Sequence, residues 1–150
     1  MIRDEILKKY PAENESILMI LHDLQNNNPQ NWLSEEDLKA VAAYLNTTLS
    51  SVLGVATYYT MYSVKPRGKF IIRLCNSPVC HIEGAEEVLS EIERVLGIKI
   101  GETTPDGLFT IEATECLGRC AAAPGMIVNE QFHGFLSKDR ISGIINKTKI

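Results

Sequence analysis

The stretch KFIIRLCNSPVC, Lys69 to Cys80, decides how the second half of this 150-residue chain folds. Apolar side chains stand at every second position of its first six residues, and this alternation predicts a half-buried β-strand over Lys69 to Leu74. Cys75 follows the strand directly, and Cys80 comes after a four-residue spacer. The sequence therefore places two thiols just beyond the end of one strand.

A second stretch, LFTIEATECLGRCAAAPGM, repeats this arrangement from Leu108 to Met126. Its first part, Leu108 to Thr114, alternates as a strand, and Cys116 and Cys120 follow with a three-residue spacer. If the two strands are parallel neighbours in one sheet, both loops leave the same edge. The four cysteines of the chain would then converge on one point.

The rest of this half predicts a small sheet with helices packed on it. An apolar stripe predicts a helix from Ala85 to Leu96 that Gly97 ends, and a last helix starts at Ser137. Between them, two short apolar segments suggest a hairpin that turns at Asn129 and Glu130. The segments are MIV, Met126 to Val128, and FHGF, Phe132 to Phe135.

The first half shows only helical periodicity. Its apolar stripes predict a helix that starts near Ile17, a second helix that Ser34 caps, and a third from Leu49 to Tyr62. The predicted fold class is α+β, with an N-terminal three-helix unit at 1–66 and an α/β domain with a small mixed sheet at 67–150. About 66 residues of short helices are marginal alone, so we expect the first region to dock on a partner.

Composition excludes several classes of protein. With 15 basic and 19 acidic side chains, the net charge of −4 gives no support for binding a nucleic-acid backbone. The apolar runs are far shorter than the roughly 20 residues that cross a bilayer, so we expect no direct membrane insertion. The first residues lack the pattern of a secretory signal, and we therefore expect a cytoplasmic protein.

In a reducing compartment, four cysteines favour metal or redox chemistry over disulfides. Four thiolates hold either Zn²⁺ or an iron-sulfur cluster, and the longer spacers favour a [2Fe-2S] cluster, which has two metals to wrap. Zinc stays open as an alternative, because spacers of up to four residues are known in zinc sites. Packing of four free thiols as small apolar residues is disfavoured, since random placement seldom gives two close pairs.

Two rival functions stand beside electron transfer. A zinc-stabilised interaction module would use the same cysteines without redox activity. The helices from Leu33 to Tyr59 also have the spacing of a helix-turn-helix in a redox-sensing DNA-binding protein, but the third helix contains no Lys, Arg, Asn or Gln to read bases. The sequence has no glycine-rich phosphate loop, so we expect the chain not to be catalytic alone.

Four further side chains are candidates for a role at the site. Arg119 either offsets negative charge at the cysteines or lies solvated in its loop, and His81 follows Cys80 directly. We interpret His22 and His133 as a helix-boundary and a hairpin residue, and none of the three histidines as a ligand. The aromatic group of Tyr58, Tyr59 and Tyr62 is interpreted as core and its margin rather than as a docking surface.

The sequence resembles the thioredoxin-like [2Fe-2S] ferredoxin subunit of NADH-linked flavoprotein complexes. That family includes the small peripheral-arm subunit of NADH:quinone oxidoreductase and related subunits of NAD-dependent or electron-bifurcating [FeFe]-hydrogenases and formate dehydrogenases. The resemblance runs from about Ile17 to Ile145. It is carried by LHDLQ, LSEEDLKAVAAYL, VLGVATYYTMY, VCHIEGA, ECLGRCAAAPGMIVNEQFHG and the spacing of the four cysteines.

The resemblance implies a thioredoxin-like domain in which Cys75, Cys80, Cys116 and Cys120 ligate one [2Fe-2S] cluster. It also implies a larger partner subunit that carries FMN, an NAD(H) site and a further cluster, with which this chain exchanges single electrons. NADH gives two electrons as a hydride and a cluster takes one, so a flavin must stand between them. The departures from the family pattern concern partner contacts more than the cluster. They are Glu83, Arg119 and His133.

Overall fold

The computed structural model describes residues 2–148, so the outermost residues of the two predicted domains, 1, 149 and 150, lie outside the described part. The chain divides into two compact units, Met1–Arg67 and Gly68–Ile150. The first unit contains helices only, and the second combines helices with a mixed sheet. The predicted α+β fold class is therefore confirmed.

The first unit is built from helices packed around one apolar core. Its α-helices are α1 (Ile2–Leu7), α2 (Ile17–Asn26), α3 (Glu35–Tyr44) and α4 (Leu49–Tyr58). The three predicted helices are present, and α1 precedes them. Six residues are too few to show a periodic stripe, and α1 is held by tertiary contacts instead, with Ile6 and Leu7 buried in the core.

Polar side chains fix where α3 and α4 begin. The Ser34 hydroxyl accepts the Asp37 backbone N–H, and the Asp37 carboxylate accepts the Ser34 N–H at 3.0 Å, which is a complete capping box. At the start of α4, the Thr48 hydroxyl accepts the backbone N–H of Ser51. Both starts agree with the predicted helix boundaries.

The end of α4 differs from the prediction. The helix ends at Tyr58 and not at Tyr62, because the backbone turns to an extended conformation at Tyr59. Tyr62 returns to the core, where its hydroxyl donates to the Leu18 carbonyl at 2.7 Å. Of the tyrosine group interpreted as core and its margin, Tyr62 lies in the core, Tyr59 is 40% exposed, and Tyr58 is 79% exposed.

The second unit has the strand order β2-β1-β3-β4. Its strands are β1 (Phe70–Cys75), β2 (Phe109–Thr114), β3 (Met126–Val128) and β4 (Gln131–His133), and its helices are α5 (Pro78–Ile82), α6 (Ala85–Leu96) and α7 (Lys138–Thr148). The strands β1 and β2 are parallel neighbours, which is the condition for the cysteine loops to leave the same edge, and the predicted hairpin of β3 and β4 around Asn129 and Glu130 is confirmed. The last strand is shorter than predicted.

The two faces of this sheet have different surroundings. Side chains at Ile72, Leu74 and Phe109 pack with apolar residues of α6 and α7 in one core. Because side chains alternate along a strand, the intervening residues point to the other face. Across that face one row of directly paired residues runs through all four strands, from Glu112 through Arg73 and Ile127 to Phe132.

Within residues 2–148, no single helix is long and apolar enough to cross a membrane. Together, α3 and α4 reach the length and composition of a span, but they are bent by 120° at their break.

Candidate metal centre

The four cysteines lie where β1 and β2 end. Cys75 is the last residue of β1 and pairs with Thr114, the last residue of β2, in the parallel register. Cys116 follows β2 two residues later, and Cys120 begins a short 3₁₀ helix. Because the strands are parallel, both loops leave the same edge of the sheet, as predicted.

Cys80 reaches the site through α5, a short helix that the sequence pattern does not indicate. The sequence predicts a loop here, but Ser77 takes an extended backbone and Pro78 starts a helix of five residues. Proline is pre-organised for the first helical position, because its ring fixes φ near the helical value. This single turn carries Cys80 back toward the strand end, where its side chain is buried.

The thiols form two neighbouring pairs. The Sγ atoms of Cys116 and Cys120 are 3.9 Å apart, and the thiols of Cys75 and Cys80 are close enough to alter each other's pKa. The Cys120 thiol also interacts electrostatically with both Cys75 and Cys80. The fold thus brings together the four residues singled out from the sequence.

Backbone N–H groups point at these sulfurs, and two of them cross between the loops. The Cys75 sulfur accepts a hydrogen bond from the backbone N–H of Leu117, which lies between Cys116 and Cys120. The Cys80 sulfur accepts one from the backbone N–H of Gly125. The remaining donors are local, with Ser77 donating to Cys75 and Gly118 donating to the Cys116 Sγ at 3.4 Å. Such donors favour negative charge on sulfur.

Thiol pKa values differ within this group. Burial raises the pKa of the Cys75 thiol, but hydrogen bonds from Ser77, Leu117 and Cys80 outweigh burial and leave the pKa below its ordinary value. Burial raises the pKa of Cys80, and the neighbouring Cys75 raises it further. The hydrogen bond and the charge of Cys116 raise the pKa of Cys120. Negatively charged thiolates at these positions would repel one another, and a cation bound among them would reduce that repulsion.

The donor set fits a thiolate-bound metal group. Two sulfurs on one tetrahedral metal, with bonds of about 2.3 Å, lie about 3.8 Å apart, which is close to the Cys116–Cys120 separation. Cys75 and Cys80 are 2% and 5% exposed, whereas Cys116 and Cys120 are exposed. In the described part of the chain, no three His, Cys, Asp or Glu side chains are arranged around a single ion site.

The contacts of the histidines are made away from the thiol pairs. His22 is exposed on α2, and the His81 Nδ1 lies 3.6 Å from a carboxylate oxygen of Glu86. His133 is half-buried on β4, and among the described residues its Nε2 has no hydrogen-bond partner. Burial lowers the pKa of His133, and the charge of Arg140 lowers it further.

Arg119 has a contact that the sequence does not indicate. Its guanidinium lies over the Phe132 ring, 4.8 Å from the ring centroid. Arg119 is exposed and stands between Gly118 and Cys120 in the second cysteine loop. Glu83, the other charged departure near the site, is the exposed residue at the end of α5.

The sequence profile of thioredoxin-like [2Fe-2S] ferredoxins matches residues 3–149. The chain belongs to the thioredoxin-like [2Fe-2S] ferredoxin family. The match includes both cysteine loops and the helical unit, so the resemblance noted in the sequence is confirmed over almost the whole chain.

Two relatives of this ferredoxin are named as subunits of NADH-quinone oxidoreductase. The relative from Aquifex aeolicus (strain VF5) is 37% identical over 143 residues, which are 95% of this chain and 88% of that protein. The relative from Rickettsia conorii (strain ATCC VR-613 / Malish 7) is 35% identical over 147 residues, with 97% and 88% covered. These relatives therefore belong to an oxidoreductase complex.

A solved structure supports the fold of this ferredoxin. The NAD⁺-reducing [NiFe]-hydrogenase in its air-oxidised state matches 93% of this chain with a TM-score of 0.80 at 19% identity. This chain spans only 24% of that hydrogenase chain. The predicted thioredoxin-like architecture is confirmed by the family and by the observed mixed sheet.

Sequence reasoning does not identify the groups that surround the sulfurs. The N–H donors of Leu117 and Gly125 belong to the backbone, and their direction depends on the fold of both loops. The small residues around the second cysteine pair indicate close backbone approach without naming a donor. Nothing in the sequence pattern indicates Phe132 as the partner of Arg119.

Proposed function

We propose that this ferredoxin is the electron-transfer subunit of an NADH-linked oxidoreductase complex and carries one [2Fe-2S] cluster. The observation that carries the proposal is the meeting of four thiols and their backbone donors at one edge of the sheet, in a member of this family. When bound, such a cluster accepts and releases one electron at a time.

The proposed ligands are Cys75, Cys80, Cys116 and Cys120. The close pairing within each loop supports two sulfurs on each metal, and the family name supports iron-sulfur over zinc. The chain's own contribution is to orient the thiols, to donate N–H groups to sulfur and to bury the first pair. A cytoplasmic location is part of the proposal, because these thiols must stay reduced to bind metal.

The proposed partner is a larger flavoprotein subunit that binds FMN and NAD(H). The two relatives named as subunits of NADH-quinone oxidoreductase support a multi-subunit setting of this kind. Exposure of the second thiol pair supports exchange of electrons on that side of the site. The direction of flow depends on the reduction potential, which a measurement on the purified complex would give.

The proposed docking region is the helical unit. Several large apolar side chains of this unit are exposed, and their burial on a partner would be favourable. They are Met19, Leu53, Tyr58, Tyr59 and Met61. This exposure supports the docking role of residues 1–66 that the short helices already suggested.

Spectroscopy of anaerobically purified protein tests the cluster. We expect about two iron and two sulfide per chain, with an EPR signal that appears only after reduction by dithionite. Replacing each cysteine in turn by serine should remove most of the bound iron. A colourless wild-type protein with one zinc would overturn the proposal in favour of a structural site.

Co-purification with the tagged flavoprotein subunit tests the docking region. We expect Tyr58→Ala with Met61→Ala to lower recovery of the complex while the cluster absorption is kept. The matched control is Ile82→Ala, because Ile82 is 80% exposed but belongs to the second unit, Gly68–Ile150. Full recovery with the helical variants would contradict a docking role for these residues.

A further inference from the structure

One aromatic ring contacts two points of the second cysteine segment, Arg119 and Gly125. Phe132 lies on β4, and a Cβ atom added to Gly125 would come within 2.9 Å of its Cε2. A Cβ atom added to Gly134 would come equally close to its Cε1. The ring therefore rests directly on the backbone of Gly125, whose N–H donates to the Cys80 thiol.

The guanidinium of Arg119 stacks on the face of the same ring. The guanidinium carbon is 4.8 Å from the ring centroid, within the range of a cation–π contact. Arg119 immediately precedes Cys120, so this contact ties the second cysteine loop to β4. Phe132 thus links the loop of Cys116 and Cys120 to the segment that contacts Cys80.

Arg119 also places a positive charge in the second cysteine loop, one residue before Cys120. The Arg119 guanidinium is a positively charged group, and its stacking on Phe132 limits where that charge can move. A cluster held by four thiolates carries net negative charge, and reduction makes that charge more negative. A fixed cation next to a ligand favours the reduced form by attraction.

We propose that Arg119 and Phe132 act as one positioning pair that holds the exposed cysteine loop against the sheet and raises the reduction potential of the bound cluster. The inference rests on the proposed function, because it concerns a cluster held by the four cysteines. Neither side chain is a ligand. The pair acts through the position of Cys120 and of the Gly125 N–H.

The variants Arg119→Gln, Arg119→Lys, Phe132→Leu and the double variant Arg119→Gln/Phe132→Leu separate charge from stacking. The two readouts on full-length, cluster-loaded protein are the rate at which an iron chelator bleaches the visible absorption and the midpoint potential from a dithionite titration. We expect Phe132→Leu and Arg119→Gln each to bleach about two- to fivefold faster, the range for an exposed cation–π contact.

The double variant tests whether the two residues act together. Because each single change already breaks the same contact, the double variant should bleach no faster than the faster single variant. The midpoint potential should become more negative in Arg119→Gln and stay at the wild-type value in Arg119→Lys, which keeps the charge. The inference would be overturned if the bleaching rate of the double variant rose by the product of the two single-variant increases. An unchanged midpoint potential in Arg119→Gln would overturn it as well.

Controls distinguish the outcomes. Thermal unfolding of each variant identifies a general loss of fold, and Arg119→Gln carries the test alone if Phe132→Leu is unstable, since Arg119 is exposed. Wild-type protein without iron and sulfide would overturn the proposed function itself. Wild-type protein with a normal cluster, and variants that match it in rate and potential, would overturn only the role of Arg119 and Phe132.

Discussion

The backbone N–H of Leu117 donates a hydrogen bond to the thiol of Cys75, which lies in the other cysteine loop. Along the chain, two helices and one strand, α5, α6 and β2, lie between these two residues. Gly125, which follows Cys120 in the same segment, donates to Cys80 in the same way, so both cysteines of the first loop accept from the second. These backbone hydrogen bonds hold the two cysteine loops together.

Ser77 offers a way to weaken one sulfur contact without touching a ligand. Its backbone and its hydroxyl both donate to Cys75, and hydrogen bonds to sulfur raise the reduction potential of thiolate-bound clusters. We expect Ser77→Ala to keep the wild-type iron content and to show a more negative midpoint potential. Redox titration followed by EPR measures this change.

Ser90→Ala is the control for that variant, because the Ser90 hydroxyl donates only to the Glu86 carbonyl of its own helix at 2.9 Å. Its midpoint potential should equal that of the wild-type protein. Equal potentials for Ser77→Ala and Ser90→Ala would contradict the role given to the Ser77 hydroxyl.

Gly68 begins the second unit at a point where no side chain fits. An added Cβ would lie 2.7 Å from the carbonyl carbon of Phe109 and 2.8 Å from backbone atoms of Leu108, which cannot rotate away. We expect Gly68→Ala to lower the free energy of unfolding by about 1–3 kcal/mol, the usual cost of overpacking. Denaturant unfolding followed by fluorescence or circular dichroism measures the change.

Gly143→Ala is the matched control, since it lies inside α7 with nothing within 4 Å of an added Cβ. The same substitution there should be stabilising by about 0.5–1 kcal/mol, because alanine restricts the unfolded chain and favours the helix. If both alanine variants shift stability in the same direction, the close approach at Gly68 is not what limits that position.

The capping box at Ser34 makes a prediction for the helical unit. Ser34→Ala removes the acceptor for the Asp37 N–H and one donor to the buried Asp37 carboxylate. We expect a loss of about 1 kcal/mol in the unfolding free energy of this unit, measured by circular dichroism in denaturant. Ser34→Thr keeps the hydroxyl and should retain most of the stability, and a wild-type midpoint for Ser34→Ala would contradict the assignment.

His133 predicts a dependence of stability on pH. Its folded pKa lies below the ordinary value because of burial and the charge of Arg140, so the unfolded chain binds the proton more readily. Its contribution to stability is complete above the ordinary histidine pKa of about 6.5 and is lost as pH falls through and below it. We expect His133→Gln to reduce the loss of thermal stability between about pH 7.5 and 5.5. An identical pH slope in both proteins would exclude His133 as its source.

Much of the fold follows from local patterns that the sequence displays. The alternation in β1 and β2, the stripe of α6 and the cap at Ser34 each arise from near neighbours along the chain, so each could be predicted. The helices α1 and α5 could not be predicted in this way. Each has too few residues for a period, and each buries side chains among residues distant in the chain.

The same division applies to the candidate site. Residue type, spacing and position after two strands suffice to single out the four cysteines, and the structure brings their thiols together. The donors from Leu117 and Gly125 and the ring of Phe132 depend on tertiary geometry, which no short window of sequence contains. Their positions follow only from the way the two loops and the hairpin meet.

The parallel pairing of β1 with β2 has a consequence for how the protein matures. The two thiol pairs are 35 residues apart in sequence, so an unfolded chain offers them as two separate, weak chelators. Only when Phe70–Cys75 has found Phe109–Thr114 do the four sulfurs form one acceptor. Insertion of the proposed metal group would thereby be conditional on folding, and its retention would add to native stability by linkage.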